Sequence, residues 1–320
     1  MLNFGIIMDS IEHINPETDS TFSIAHSLQK KAKIIYIHSN TIYLSQNSVY
    51  AKTSELKVYK NKKKFYKLNK SKKIDLNKLH CILFRTDPPV DENYIYTTYL
   101  LDIVEKKGTL VLNSPQSLRD FNEKIIGMKF NKNNLPTIIS RNIKQIKTFV
   151  KQYKKVVVKP LNMMAGEGIK LLKYTDTNLM EKINEIIENE VKFVIVQKFL
   201  DVSKKGDKRI IVYNGNICKK IITRYPPKDD FRANLRYGGK FKISTLPKKY
   251  ITHLDEIAAY LKAHRIFLAG IDMIGNCITE INITSPTGIQ QIDNNTKLNL
   301  SDDICKELLE LTKSYHDNKK

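Results

Sequence analysis

The residues best suited to chemistry lie between Ile271 and Gly288, in the stretch IDMIGNCITEINITSPTG. Asp272 sits on one apolar run, Glu280 and Asn282 sit on the next, and Gly275-Asn276 supplies a turn signal between them. Three oxygen-bearing side chains on two short β-rich runs suit a hard divalent cation, because Mg²⁺ takes carboxylate and carbonyl oxygens and keeps positions for water or phosphate. Asp and Asn beside Gly also serve as plain turn formers. Glu280 and Asn282 lie outside the turn, however, and period-two geometry puts both on one face while Ile281 and Ile283 point to the other. The register adds a condition. A regular two-residue Gly275-Asn276 connection pairs Asp272 with Thr279 and turns Glu280 away, so the three ligands meet only through a longer connection or a β-bulge.

Further candidates fall at the ends of apolar runs. Arg85 closes the run Cys81 to Phe84 and precedes Thr86-Asp87-Pro88-Pro89. Ligands gather beyond the carboxyl ends of strands in open α/β sheets, so Arg85 is either an anion clamp or the partner of Asp87 at a rigid turn. Lys159 ends the strand Val156 to Val158 and is followed by Leu161-Asn162-Met163-Met164-Ala165-Gly166-Glu167-Gly168 and the strand Ile169 to Leu172. Such a flap can bring backbone N–H groups to phosphates, although no G-x-x-x-x-G-K-[ST] loop is present. Phe193 to Val196 leads to Gln197-Lys198-Phe199-Leu200, a strand exit able to present backbone groups to a purine. Only eight of the 54 basic residues are arginine, and Arg224, Arg232 and Arg236 gather with Asn234 in what reads as one polar loop. Guanidinium groups hold carboxylates and phosphates bidentately; the alternative is a solvated loop.

The elements that must position these residues alternate. Phe4 to Met8 and Lys33 to Ile37 read as strands around a helix from Thr21 to Ala32, which predicts a parallel, open α/β layer. A hairpin-like insertion follows from Ile42 to Tyr59, and then a lysine- and asparagine-rich loop from Lys60 to Lys73. A helix over Tyr94 to Lys107 returns to the strand Leu110 to Leu112, and Asn113-Ser114-Pro115 can start a helix. The spacing changes near Asn122, and Lys124 reads as a surface lysine on a helix. Asn178 to Ile187 is a helix, Ile210 to Tyr213 a strand with an Asn214-Gly215 hairpin turn, Pro247 to His264 a helix with a Leu254, Ile257, Ala258, Leu261 stripe, and Asp302 to Tyr315 the last helix. We expect three units: 1–121, 122–200 and 201–320.

At 320 residues and 41% hydrophobic content the chain can build several cores. No apolar run reaches the roughly 20 residues of a membrane span, and the short FGIIM run closed by Asp9 reads as neither leader nor anchor, which implies a cytoplasmic protein. Four dispersed cysteines, Cys81, Cys218, Cys277 and Cys305, form no zinc spacing and read as reduced thiols. The net charge of +21 is lysine-dominated and scattered, so it argues weakly for anionic small substrates and hardly at all for nucleic acid.

In their order these blocks resemble bacterial glutathione synthetase, an ATP-grasp ligase. The resemblance runs from GIIMDSIEHINPETDSTF through RTDPPVDENYIYTTYLL, GTLVLNSPQSLRDFNEK, VVVKP, KKGDKRIIV and RANLRYGG to IDMIGNCITEINITSPTG. It implies an N-terminal open parallel α/β (pre-ATP-grasp) domain followed by a two-subdomain ATP-grasp fold, α/β and α+β in class. It further implies ATP-dependent joining of γ-glutamylcysteine and glycine through an acyl phosphate, with Mg²⁺, or Mn²⁺ in its place, and a homotetramer. By the same resemblance Lys124, Lys159 and Gly166 would hold phosphates, Gln197, Lys198, Phe199 and Leu200 the adenine, and Asp207 the ribose. Asp272, Glu280 and Asn282 would ligate metal, Arg209 and Arg224 would stabilise the transferring phosphoryl group, and Arg85, Arg232, Asn234 and Ser285 would hold substrate.

One departure stands out: the family's flap is glycine-rich on both sides of its Met, whereas this chain has Asn162-Met163-Met164-Ala165-Gly166. Ala and Met cannot cheaply adopt positive φ, so an Ala165→Gly variant is expected to bind ATP or turn over better than the natural chain. The rivals are another ATP-grasp ligase with a different acid or amine, and a catalytically weak nucleotide- or nucleic-acid-binding protein.

Overall fold

The computed structural model describes residues 1–61, 63–131, 135–164, 166–233 and 238–319. The N-terminal alternation folds as β1 (Asn3–Met8), α1 (Ser20–Leu28), β2 (Lys33–His38), the hairpin β3 (Tyr43–Ser45) and β4 (Ser48–Val58), β5 (Tyr66–Leu68), β6 (Lys72–Asp75), β7 (Cys81–Arg85), α2 (Glu92–Lys106) and β8 (Leu110–Leu112). The main path of the sheet is β3-β4-β2-β1-β7-β8, with β2, β1, β7 and β8 parallel and β4 antiparallel to β2. The chain passes from β1 out to β2 and back across to β7, so the carboxyl ends of β1 and β7 form the switch-point crevice where such sheets receive ligands. Arg85 closes β7 there. The stretch expected as a loop from Lys60 to Lys73 instead contains β5 and begins β6, both paired with β4. Its Phe65, Tyr66 and Leu68 pack on the core while lysines protect the sheet edge, a polar composition that hides an edge strand.

Pro115 opens the short α3 (Pro115–Asp120). Lys124, expected on a helix, lies in a turn, because the Asn122 side-chain oxygen accepts from the backbone N–H groups of Lys124 (3.0 Å) and Ile125 (3.3 Å). A second, antiparallel sheet of order β11-β10-β12-β9 follows. It is built from β9 (Thr137–Ser140), α4 (Ile143–Tyr153), β10 (Lys155–Pro160), β11 (Lys170–Lys173), α5 (Leu179–Ile186) and β12 (Val194–Lys198). After α6 (Val202–Lys205), the third sheet has the order β15-β14-β13-β16-β17. Its strands are β13 (Asp207–Tyr213), β14 (Asn216–Tyr225), β15 (Lys240–Thr245), β16 (Leu268–Ile274) and β17 (Cys277–Asn282), with α7 (Ile251–Ala263) between β15 and β16. The helix expected from Pro247 begins as a 3-10 turn at Lys248–Tyr250. α8 (Ile289–Asn295) and α9 (Leu300–Asp317) close the chain, and neither α8 nor the edge strand β15 announced itself in the sequence.

Two cores are shared and one is private. Phe84 and Leu101 of the first layer cluster with Leu254, Ile257, Ile271 and Ile281 of the third sheet. Phe4, Ile24 and Leu28 cluster with Ile289, Ile304 and Leu308, which puts α9 against α1. Asn113 bolts the two layers together: its amide donates to the carbonyls of Leu268 (2.8 Å) and Ile283 (2.5 Å) and its oxygen accepts from Leu268 N–H (2.9 Å). The middle sheet keeps a separate core of Ile146, Val150, Val158, Ile183 and Val196.

Candidate active site

The β16–β17 hairpin meets the register condition. Its loop is the two-residue Gly275-Asn276 connection, with Ile274 opposite Cys277 and Met273 opposite Ile278; the register then shifts so that Asp272 pairs with Glu280. Thr279 is the bulged residue, and its hydroxyl donates to the Asp272 carbonyl (3.2 Å). Asp272 and Asn282 share one neighbourhood, with the Asn282 amide donating to Asp272 Oδ2 (3.1 Å) and to the Gly270 carbonyl (3.2 Å).

Asp272 is 5% exposed and its acceptor capacity is fully used. Oδ1 receives Arg209 Nε (2.6 Å) and lies 2.9 Å from Arg224 Nη2, while Oδ2 receives Arg209 Nη2 (2.8 Å) and the Asn282 amide. A carboxylate offers about four lone-pair sites, and these four partners fill them. β13 delivers Arg209 directly opposite Asp272. Arg224, expected in a polar loop, lies within β14 and is register partner to Asp207, whose Oδ2 it meets at 2.5 Å. The loop reading failed because a charged residue near a strand end looks like solvent-facing sequence until its buried partner is known. Burial opposes ionisation of Asp272, but Arg209 and Arg224 outweigh it and hold the carboxyl below its ordinary range. At Asp207 burial dominates and, with the nearby Asp272 charge, pushes the pKa up against the pull of Arg224.

Between the second and third sheets runs a cleft bordered by Lys159, Gly166 and the Gln197–Leu200 exit of β12 on one side and by Asp207 at the start of β13. Arg209, Arg224, Arg232, Asp272, Glu280 and Asn282 border it on the other. Val157, Ile169, Leu135 and Ile274 supply apolar walls of the kind a flat base needs. The backbone N–H groups of Lys198 and Phe199 already donate to the carbonyls of Pro136 and Lys155, both at 3.0 Å, so a base-binding donor has to come from farther along, at Leu200. Lys124 does not line this cleft but backs its border from outside both sheets: its Nζ lies 3.1 Å from Glu280 Oε1 and donates to the Met163 carbonyl of the flap (2.5 Å). Burial pulls the Lys159 ammonium below its ordinary pKa; Glu280 counteracts this and Lys124 adds to it. The flap is fastened further by Asn122 Nδ2 on the Leu161 carbonyl (2.8 Å), Val90 N–H on that of Asn162 (3.2 Å) and Arg232 Nη1 on that of Gly166 (3.3 Å).

A second cavity opens at the switch point of the first sheet, bordered by Asp9, Asp19, Arg85, Ser285 and Pro286. Arg209, Arg224 and Asn282 border both cavities, so the two guanidinium groups stand in the wall between them. Arg85 is buried, and its donors go to Thr21 Oγ1 (3.2 Å) and to the carbonyls of Thr284 (3.3 Å) and Pro286 (3.0 Å). It therefore positions the 284–287 turn as well as charging the cavity, and its sequence alternative of pairing with Asp87 is not what these bonds describe. Asn234, Arg236 and Ala165 lie outside the described residues. Sequence reasoning passed over Glu123, Thr279 and the Met163 carbonyl; a bulge and a backbone acceptor carry no residue-type signal, whereas Glu123 beside Lys124 offered one.

Models of the prokaryotic glutathione synthetase N-terminal domain and ATP-grasp domain match residues 2–119 and 123–297. The chain belongs to the prokaryotic glutathione synthetase family. The glutathione synthetase of Buchnera aphidicola subsp. Schizaphis graminum is 37% identical over 301 residues, 94% of each chain. That of Prochlorococcus marinus subsp. pastoris is 34% identical over 310 residues, 97% of this chain and 100% of the relative. Among solved structures, a D-cycloserine synthetase superposes with a TM-score of 0.66 at 10% identity, covering 97% of this chain and 99% of that one. D-alanyl-alanine synthetase A from Vibrio cholerae does so at 0.61 and 12%, covering 99% of both. At such identities the likeness speaks for the ATP-grasp fold alone. As a member of the glutathione synthetase family the chain is an ATP-dependent carboxylate–amine ligase.

A glutathione synthetase of this fold implies a divalent cation, and the donor set suits one that is shared with phosphate. Among the described residues no group of three His, Cys, Asp or Glu side chains forms a self-sufficient metal cage. Glu280 and Asn282 border the cleft between the second and third sheets and provide hard oxygen donors, the pattern of Mg²⁺ held by one or two protein groups, water and substrate phosphates. Asp272 can join them only when a guanidinium group leaves it.

Proposed function

We propose that the cleft between the second and third sheets binds Mg-ATP, that the switch-point cavity binds γ-glutamylcysteine, and that glycine takes the acyl group to give glutathione, ADP and phosphate. The observation that carries this reading is the shared wall, where Arg209 and Arg224 border both cavities. A carboxylate is a poor electrophile, so its oxygen first attacks the γ-phosphorus, releasing ADP and forming an acyl phosphate. The glycine nitrogen then attacks the acyl carbon and phosphate leaves with one former carboxylate oxygen. Arg209 and Arg224 stabilise the charge of the transferring group, and Lys124 and Lys159 hold phosphate oxygens, so catalysis rests on positioning and electrostatics.

Gln197 to Leu200 receive the adenine, Asp207 the ribose and Gly166 the phosphates at the flap. Arg85, Arg232, Asn234 and Ser285 serve the acid and amine substrates. Glu280 and Asn282, with Asp272 once released, hold Mg²⁺ or Mn²⁺, which neutralises phosphate charge when bound. The working division follows 1–121 for the acid substrate, 122–200 for the flap and 201–320 for metal and transfer, in a cytoplasmic homotetramer. Heavy oxygen placed in the reacting carboxylate of γ-glutamylcysteine tests the chemistry. The label is expected in released phosphate, and phosphate free of label rules out the acyl phosphate route.

A further inference from the structure

Glu123 immediately precedes Lys124 and is 6% exposed. Its Oε1 accepts three hydrogen bonds, from the backbone N–H groups of Ile283 (2.6 Å) and Thr284 (2.8 Å) and from the Thr284 hydroxyl (2.9 Å). Its backbone carbonyl accepts a fourth from Ile281 N–H (2.8 Å). Residue 123 therefore covers the edge of β17 that β16 does not, on the strand that carries Glu280 and Asn282. One residue on, Lys124 spans Glu280 and the flap carbonyl of Met163. From Thr284 itself onward, the 284–287 turn offers carbonyls to Arg85 and Arg209: Thr284 and Pro286 to Arg85, and Thr287 to Arg209 (3.0 Å).

Packing alone does not account for a carboxylate here, since burial and the nearby Glu280 both work against its charge. What needs it is the fan of donors, two of them consecutive backbone N–H groups that an apolar side chain leaves unmet. We propose that Glu123 is a positioning residue of the ligase reaction, holding Lys124 and the 284–287 turn in fixed relation so that the phosphate lysine and the wall arginine face the same reacting group. This rests on the ligase reading above.

Glu123→Ala and Glu123→Gln test it. The glutamine oxygen can accept the same three bonds, so the Gln variant is expected to keep turnover within about 5-fold while the Ala variant loses about 10- to 100-fold. Simple loss of folded enzyme lowers kcat and leaves KM unchanged; the Ala variant is instead expected to raise the KM for γ-glutamylcysteine several-fold. In the free protein, hydrogen exchange at the amides of Ile283 and Thr284 should speed up in the Ala variant and stay slow in the Gln variant. Should Glu123→Ala not fold, Thr284→Val, which removes one donor of the three, is expected to show the same KM rise at smaller scale. Unchanged KM and exchange in the Ala or Val variant overturns the proposal. So does a Gln variant as impaired as Ala with a lost limb of its pH–rate profile, which is the mark of a proton-transfer group. If the wild-type chain releases no phosphate with γ-glutamylcysteine and glycine, the ligase reading itself fails, and the two failures are thereby told apart.

Discussion

The site turns on two acids with opposite engagements. Glu280 faces one lysine and the cleft between the second and third sheets, so Glu280→Gln is expected to lower turnover by at least about 100-fold, with a higher Mg²⁺ requirement. Asp272 is embedded in the fold through two guanidinium groups, and Asp272→Asn is expected to cost about 3–5 kcal/mol in urea unfolding because it strands the buried Arg209 and leaves Arg224 with Asp207 alone. Its folded pKa lies below the unfolded value of about 4, so its stabilisation is present above that value and is lost as pH falls through the folded one. The wild-type urea midpoint should drop on acidification below about pH 4, and the Asn variant should show less of that drop. Sequence placed the three candidate ligands on one hairpin because residue type and period two are visible in it. It did not reveal that Asp272 would be saturated, since Arg209 is 63 residues away in the chain and only strand pairing brings it opposite.

Strands, helices and their cores decide what moves. The middle sheet shares neither of the other two cores, whereas the first and third layers interpenetrate through Asn113 and α9. Native-state hydrogen exchange is expected to find the β9–β12 unit opening at lower free energy than β1 or β16; identical protection across all three sheets contradicts this. Within that unit, Gly168 sits at φ +67° with a Cβ position 2.7 Å from the Pro160 side chain. Gly168→Ala is expected to displace the flap and raise the KM for ATP about 10-fold, with little effect on the KM for γ-glutamylcysteine. Short apolar runs made β1, β2, β7, β10 and β16 legible in the sequence, and a 3.6-residue stripe did the same for α7, whereas α4 was passed over. Edge strands such as β5, β6 and β15 were hidden because one face and one edge meet water, which lets lysine dilute the pattern.

At the scale of the whole molecule, the last helix belongs spatially to the first layer: α9 packs on α1, and His316 Nε2 approaches the His80 carbonyl at 2.9 Å. No sequence period reports a contact between residues more than 200 positions apart, so the order of units along the chain was legible while this closure was not. Among the described residues no helix is long and apolar enough to cross a membrane. Light scattering is expected to give the mass of a tetramer, and a monomer mass contradicts that assembly. The central claim is that two cavities share one guanidinium wall for a single coupled reaction. Phosphate release from Mg-ATP measures it most directly, with γ-glutamylcysteine and glycine added separately and together. Sustained release is expected only with both present; release that needs neither, or that requires a different acid, contradicts the account.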